Sequence, residues 1–238
     1  MKTRHTSIAQ SRHAFIGAGI YTVPEALRLT GVFAARIRRW VKGYTYVVGD
    51  KVLASRPVVH SQLQPLDGVI ALGFLDLIEV RFIDAFRRSG VSWKSIRLAY
   101  DRARELIGSE HPFSTKIFRS DGRRIFAEIV QQTGERVLLD LVSNQLAFQK
   151  VLAPYLYEGL DFSDQEVARW WPMGRTRQVV IDPERSFGQP IVDREGVPTA
   201  ILAQAYRVEE SVDAVARWFE VDRRSVRDAV EFEERLAA

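Results

Sequence analysis

Residues 22–55, TVPEALRLTGVFAARIRRWVKGYTYVVGDKVLAS, restrict the fold of this chain more than any other stretch. Thr22-Val23-Pro24-Glu25 has the T-x-x-E spacing of a capping box, in which the Thr22 hydroxyl takes the Glu25 amide and the Glu25 carboxylate reaches back. Pro24 falls in the first turn, where its missing N–H is harmless. A short helix therefore opens at 23 and runs to about 29, where Gly31 stops it. Val32 packs into the turn. Ile37, Trp40 and Val41 recur at helical spacing, which predicts a second helix over 33–42 with Gly43 as its C-cap. Tyr44 to Ser55 alternates about Gly49-Asp50, a two-residue hairpin turn with glycine first. Helix, turn, helix and hairpin in this order predict a winged helix-turn-helix.

Charge then separates the two ends. Residues 1–60 carry ten Lys and Arg against two acids, whereas residues 182–238 carry thirteen acids against eight Arg. The basic end suits a polyanion such as DNA and the acidic end does not, so the ends are expected to do different jobs. Arg36, Arg38, Arg39 and Lys42 project from the second helix. Arginine can bond guanine bidentately, and either cation neutralises phosphate. Thr22 at the first cap, with Tyr44 and Lys51 on the hairpin, completes the candidate DNA-binding set. The competing reading is a solvated basic helix without a partner.

Gly17-Ala18-Gly19 invites comparison with a dinucleotide loop. Such a loop needs a strand before it, a third glycine, and an acid roughly 20 residues on. Here Thr22 takes the third glycine position, no apolar strand precedes Phe15, and RIRRWVKG stands where the acid should be. Residues 1–18 are read as a flexible tail. No apolar run approaches the roughly 18 residues of a membrane span, and the N-terminus lacks an apolar signal core. A cytoplasmic chain without a membrane role is expected. The absence of cysteine excludes disulfides, thiolate zinc sites and thiol catalysis. His5, His13, His60 and His111 lack metal-ligand spacing, and no nucleophile grouping is seen. No catalytic residue, metal or cofactor is therefore expected. A nuclease assembled from scattered acids is a further reading.

In the middle, residues 111–175, a β-meander and a helical linker are expected. Asp121-Gly122 between alternating segments predicts a hairpin within 113–130, and TGERVLLDLV adds a third strand. NQLAFQKVLAPYLYEGL reads as helix, and DFSDQEVARWWPMG as a short capped helical turn. Trp170 and Trp171 read as core or interface residues in preference to a ligand-stacking site. Just before this region, Trp93, Ile96, Tyr100, Ala103 and Ile107 form a heptad seam, which suits a homodimer or packing within one chain. Residues 176–238 read as a strand at Val179–Ile181, a helix opened by Pro198-Thr199, and two helices over 211–219 and 223–236, the last capped by Asp222. Val212, Val215, Phe219, Val226, Val230 and Leu236 would form its core. The whole is mainly α with small β elements, an α+β chain.

Two resemblances add to this. YTVPEALRLTGVFAARIRRWVKGY and FLDLIEVRFIDAFRRSGVSWKSIRLAYDRARELI resemble the head of MerR-type regulators, with Gly90-Val91-Ser92 at the expected turn and Leu27 as a departure from alanine. The resemblance implies a winged head with a helical pair over 19–110, its second helix in the major groove and its wing on the backbone. The tail resembles the domain-of-unknown-function family 433 through Asp182, Pro183, Gly188, Pro190, Ile191 and Pro198, with DREG in place of the usual G-T-R. In this order, the parts resemble the longer VapB-type antitoxins. That implies operator DNA at the head, with autoregulation, and a PIN-like ribonuclease toxin at the tail. A carboxylate-lined nuclease site can be blocked by arginines, and Arg185, Arg194, Arg223, Arg224 and Arg227 are the candidates. Each could instead pair locally with Glu220, Asp222 or Asp228. The tail could also serve as a second DNA contact, although its negative balance opposes this. The alternative function is a one-component regulator with a ligand-sensing middle domain.

Overall fold

The computed structural model describes residues 17–65, 68–134 and 157–237. The chain divides into two compact units, residues 21–158 with 162–167, and residues 1–20, 159–161 and 168–238.

In the first unit the capping box is present. The Thr22 amide donates to Glu25 at 2.7 Å and the Glu25 amide to Thr22 Oγ1 at 3.4 Å, opening α1 (Val23–Thr30). Gly31 closes it at φ 71°, a left-handed position that favours glycine. α2 (Ala34–Lys42) follows, burying Ile37 and Trp40. The hairpin has the expected register: β2 (Tyr44–Val48) pairs β3 (Lys51–Ser55) with Val48 opposite Lys51. Two two-residue strands, β1 (Tyr21–Thr22) and β4 (Ala71–Leu72), pair antiparallel and join the start of the head to its centre.

That centre is α3 (Phe74–Arg88), buried from Phe74 to Val80 without interruption although it carries Asp76 and Glu79 within that run. α4 (Trp93–Ile107), capped by Ser92, packs beside it. Ile96, Ala99, Tyr100 and Ala103 are buried within the chain, so the central residues of the heptad seam are spent on the head's own core. Phe82 packs edge to face on Phe118, Phe86 on Phe113 and Phe126, and Tyr100 on Phe113, all of them buried.

Two expectations are corrected here. Residues 113–130 contain no hairpin; α5 (Lys116–Thr133) occupies them, with Thr115 Oγ1 accepting the Phe118 amide. Phe118, Gly122, Ile125, Phe126 and Ile129 fall on one buried helical face. An added Cβ at Gly122 would lie 3.4 Å from the Phe118 ring, so the glycine leaves room for that ring. Burial of this face outweighs the local Asp-Gly turn signal. Residues 160–170 form a hairpin where a helical turn was expected: β5 (Leu160–Ser163) and β6 (Glu166–Trp170), joined through Asp164 at φ 50°. Aspartate tolerates that left-handed position in a turn. The expected third strand and the helix after it, over 135–156, lie outside the described residues, as do residues 1–16 of the tail.

Acids lie inside the head. Asp76 accepts hydrogen bonds from the Gly73 amide (2.7 Å), the Gln62 amide (3.1 Å) and Ser61 Oγ (3.0 Å), yet burial lifts its pKa to about 6. Burial pushes His111, 3.7 Å away, down to about 4, so this contact is not an ion pair at neutral pH. Glu79 Oε1 accepts from the Ser114 amide and hydroxyl, while Oε2 has no hydrogen-bond partner among the described residues. Desolvation raises the Glu79 pKa well above the carboxylate range. A raised acid contributes stability at low pH that is lost as pH climbs. Glu79→Gln keeps the Ser114 bonds and removes that loss. It should stabilise the head by about 1–3 kcal/mol at pH 8, and melting curves should show the gain shrinking toward pH 5. A pH-independent gain would contradict this.

The second unit contains β7 (Val179–Ile181) and β8 (Pro190–Val192), paired antiparallel. Three helices follow: α6 (Thr199–Glu209), α7 (Val212–Phe219) and α8 (Arg223–Ala237). Val192, Leu202, Val215, Val226 and Ala229 are the centre of their core, with Val212, Phe219 and Val230 packed on it. The core residues expected at 212–230 are thus present, and Leu236 is half-buried. Asp222 caps α8 by accepting the Arg224 amide. Asp228, buried, ties α8 to the strand region through the Gln178 amide at 2.9 Å and Arg177 at 2.8 Å.

Candidate nucleic-acid interface

The polar side of α2 meets the C-terminal end of α3. The two helices enclose a recess of about 250 Å³ lined by Arg36, Arg39, Trp40, Tyr44, Arg87, Arg88 and Trp93. Its arginines rest on rings: Arg36 lies 5.6 Å over Phe33, Arg39 5.4 Å over Tyr44, and Arg87 5.2 Å over Trp93. Arg87 Nη1 also donates to the Val91 carbonyl, and Trp40 packs edge-on to Trp93 at 5.5 Å. The effect is a set of cations with restricted side chains, a cheaper starting point for binding than free ones. Such a recess can take a phosphate oxygen or a guanine edge.

Of the residues expected from the sequence, Arg36, Arg39 and Tyr44 come together here. Arg38 and Lys42 are exposed elsewhere on α2, Lys51 sits beside the hairpin turn, and Thr22 is engaged in its cap. Arg87, Arg88 and Trp93 were missed. Their signal was the Arg87-Arg88 pair ending α3 just before Gly90, 50 residues from α2 in sequence. A second groove, about 660 Å³, runs beside α4 and is lined in part by Arg56, Lys94, Arg97 and Arg104. Arg97 pins the foot of the hairpin there, donating to Ser55 Oγ (2.5 Å) and the Arg56 carbonyl (2.7 Å). The hairpin itself departs from a basic wing. Every residue from Tyr44 to Ala54 is exposed, and Asp50 and Lys51 are its only charges.

In the second unit three of the five candidate arginines have local partners. Arg185 binds Asp193 through Oδ1 at 2.7 Å and through its carbonyl. Arg223 pairs with Asp213 at 2.8 Å. Arg224 reaches the Thr176 carbonyl and lies 3.8 Å from Asp228. Arg194 and Arg227 are exposed, with no ion pair among the described residues. The unit also exposes Phe187 (71%), Val208 (76%) and Trp218 (66%). Phe187 is held at φ 54° beside Ser186 at φ 47°, a left-handed backbone that costs on the order of 1–3 kcal/mol per residue. Among the described residues no group of three or more His, Asp or Glu is placed to hold a metal ion. No described helix is long and apolar enough to cross a membrane.

Residues 19–100 match the family model "Putative DNA-binding HTH domain". Residues 179–232 match "Protein of unknown function (DUF433)". The chain is 28% identical over 223 residues to a Mycobacterium tuberculosis protein named "Putative antitoxin VapB45", covering 89% of this chain and 92% of that one. It is also similar to the crystal structure of Rv2018 from Mycobacterium tuberculosis, with a TM-score of 0.69 and 27% identity over 88% of this chain and 96% of that one. The two likenesses span both units, and the head match covers the recess.

Proposed function

We propose that this chain is a non-enzymatic antitoxin that reads operator DNA with its head and binds a toxin with its second unit. The observation that carries the first half is the recess between α2 and α3, where Arg36, Arg39, Arg87 and Arg88 converge. The match of this head to a DNA-binding domain model supports it. The likeness of the whole chain to a protein named as an antitoxin supports the second half. We read α2 as the helix presented to the major groove. Arg38, Lys42 and Lys51 then add phosphate contacts, with Thr22 and Tyr44 at the rim. Operators read by such heads come as paired half-sites, and the reading includes a homodimer that represses its own promoter. The partner of the second unit is proposed to be a PIN-like ribonuclease. Arg194 and Arg227 are the cations best placed to meet its acids, because Arg185, Arg223 and Arg224 already have local partners.

Gel shifts with the DNA upstream of the chain's own gene test the first half. The log of the binding constant should fall linearly with log salt, by about 0.9 for each phosphate neutralised. Absence of binding, or binding indifferent to salt, would remove the DNA reading.

A further inference from the structure

Asp84 lies on α3 with its side chain only 6% exposed, and it binds two of the arginines that line the recess. One carboxylate oxygen accepts Arg36 Nη1 at 3.3 Å, and the other pairs with Arg88 Nε at 2.5 Å. Arg36 comes from α2, 48 positions earlier in the chain. Its guanidinium is thus fixed on two sides, by Asp84 and by the Phe33 ring, while half of the side chain stays exposed. An acid next to a DNA-facing surface weakens phosphate binding by repulsion. Its presence there needs an offsetting role.

We propose that Asp84 is a positioning residue that holds Arg36 in the orientation presented to a base edge. It thereby sets base preference at the expense of bulk affinity. The inference rests on the DNA reading above. Arginine is a long side chain with five N–H donors in a planar fork. A carboxylate bound to one arm aims the remaining donors and reduces the entropy lost when they meet a guanine. Arg88, held by the other oxygen and 64% exposed, serves the backbone instead.

The two roles predict opposite signs. Asp84→Asn removes a negative charge but keeps the side chain's shape. The full-length variant and the wild type are tested on a duplex pool with a randomised centre, then on the selected duplex and on unselected duplex. Asp84→Asn should bind unselected duplex more tightly, because repulsion is gone. Its preference for the selected duplex should fall about tenfold or more. Arg36→Ala should lose the same preference, and adding Asp84→Asn to it should cost little more, since the two act as one unit. Asp84→Glu should restore part of the preference. Arg88→Ala should lower bulk affinity and keep preference. If Asp84→Asn retains the wild-type preference, or if specific and bulk affinities fall together with the melting temperature, Asp84 only ties α2 to α3 and the proposal is overturned. If the wild type itself binds no duplex, the DNA reading fails first and the positioning role falls with it.

Discussion

Reversing both Arg36 and Arg39 to glutamate should abolish duplex binding by this chain and leave its second unit able to capture a protein partner. The two residues flank the recess. Each reversal removes a favourable phosphate or guanine contact and places a carboxylate against a polyanion. A lost bidentate guanine contact costs about 1–3 kcal/mol. Two such losses with added repulsion should lower affinity by at least about a thousandfold at moderate salt. Arg39 is exposed, whereas a glutamate at 36 would stand beside Asp84, which keeps Arg88 as its partner; the head should melt somewhat lower but remain folded, and melting curves on the same preparation check this. The loss of two cations also predicts that any residual affinity depends less steeply on salt than that of the wild type. Loss of protein capture in the same variant, with a normal melting profile, would argue against a division of labour between the units.

The mirror experiment is Leu202→Ala. Leu202 is fully buried at the centre of the α6–α8 core, among Val192, Val215, Val226 and Ala229. Truncation removes its transfer energy and leaves a cavity that rigid neighbours fill only in part, at a cost of about 2–5 kcal/mol. For a three-helix module on a short sheet this is a large share of typical total stability. The second unit should melt at markedly lower temperature and lose its partner, whereas duplex binding by the head should persist. Calorimetry with gel shifts on the same preparation checks both. Equal loss of both activities would mean that the units stand or fall together.

The sequence made the head's local structure readable because the controlling interactions are local. The Thr22–Glu25 box, Gly31, Gly43 and the Gly49-Asp50 turn each act over a few residues, and each element they bound is found at its expected place. The tail's strand, its helix start at Pro198-Thr199 and its last two helices are local in the same way. What failed was decided at a distance. α5 is helical because Phe118, Ile125, Phe126 and Ile129 share a face against the aromatic core, and no local rule ranks that burial above an Asp-Gly signal. The seam on α4 showed apolar spacing but not whether its occupant was another copy or the same chain. The site was legible in part for the same reason. Arg36, Arg39 and Tyr44 are near neighbours in sequence. Arg87, Arg88 and Asp84 join them only through packing of α3 against α2. The five tail arginines were chosen by charge alone, and local pairing with Asp193, Asp213 and Asp228 accounts for three of them.

Co-expression of the full chain with the product of the adjacent gene, followed by size-exclusion chromatography and a ribonuclease assay on the peak, shows whether the second unit captures and silences a toxin. A stable complex is expected, in which the nuclease is silent and from which the same chain still shifts the upstream duplex. Separate elution of the two proteins, with the nuclease fully active in the presence of excess chain, would contradict it.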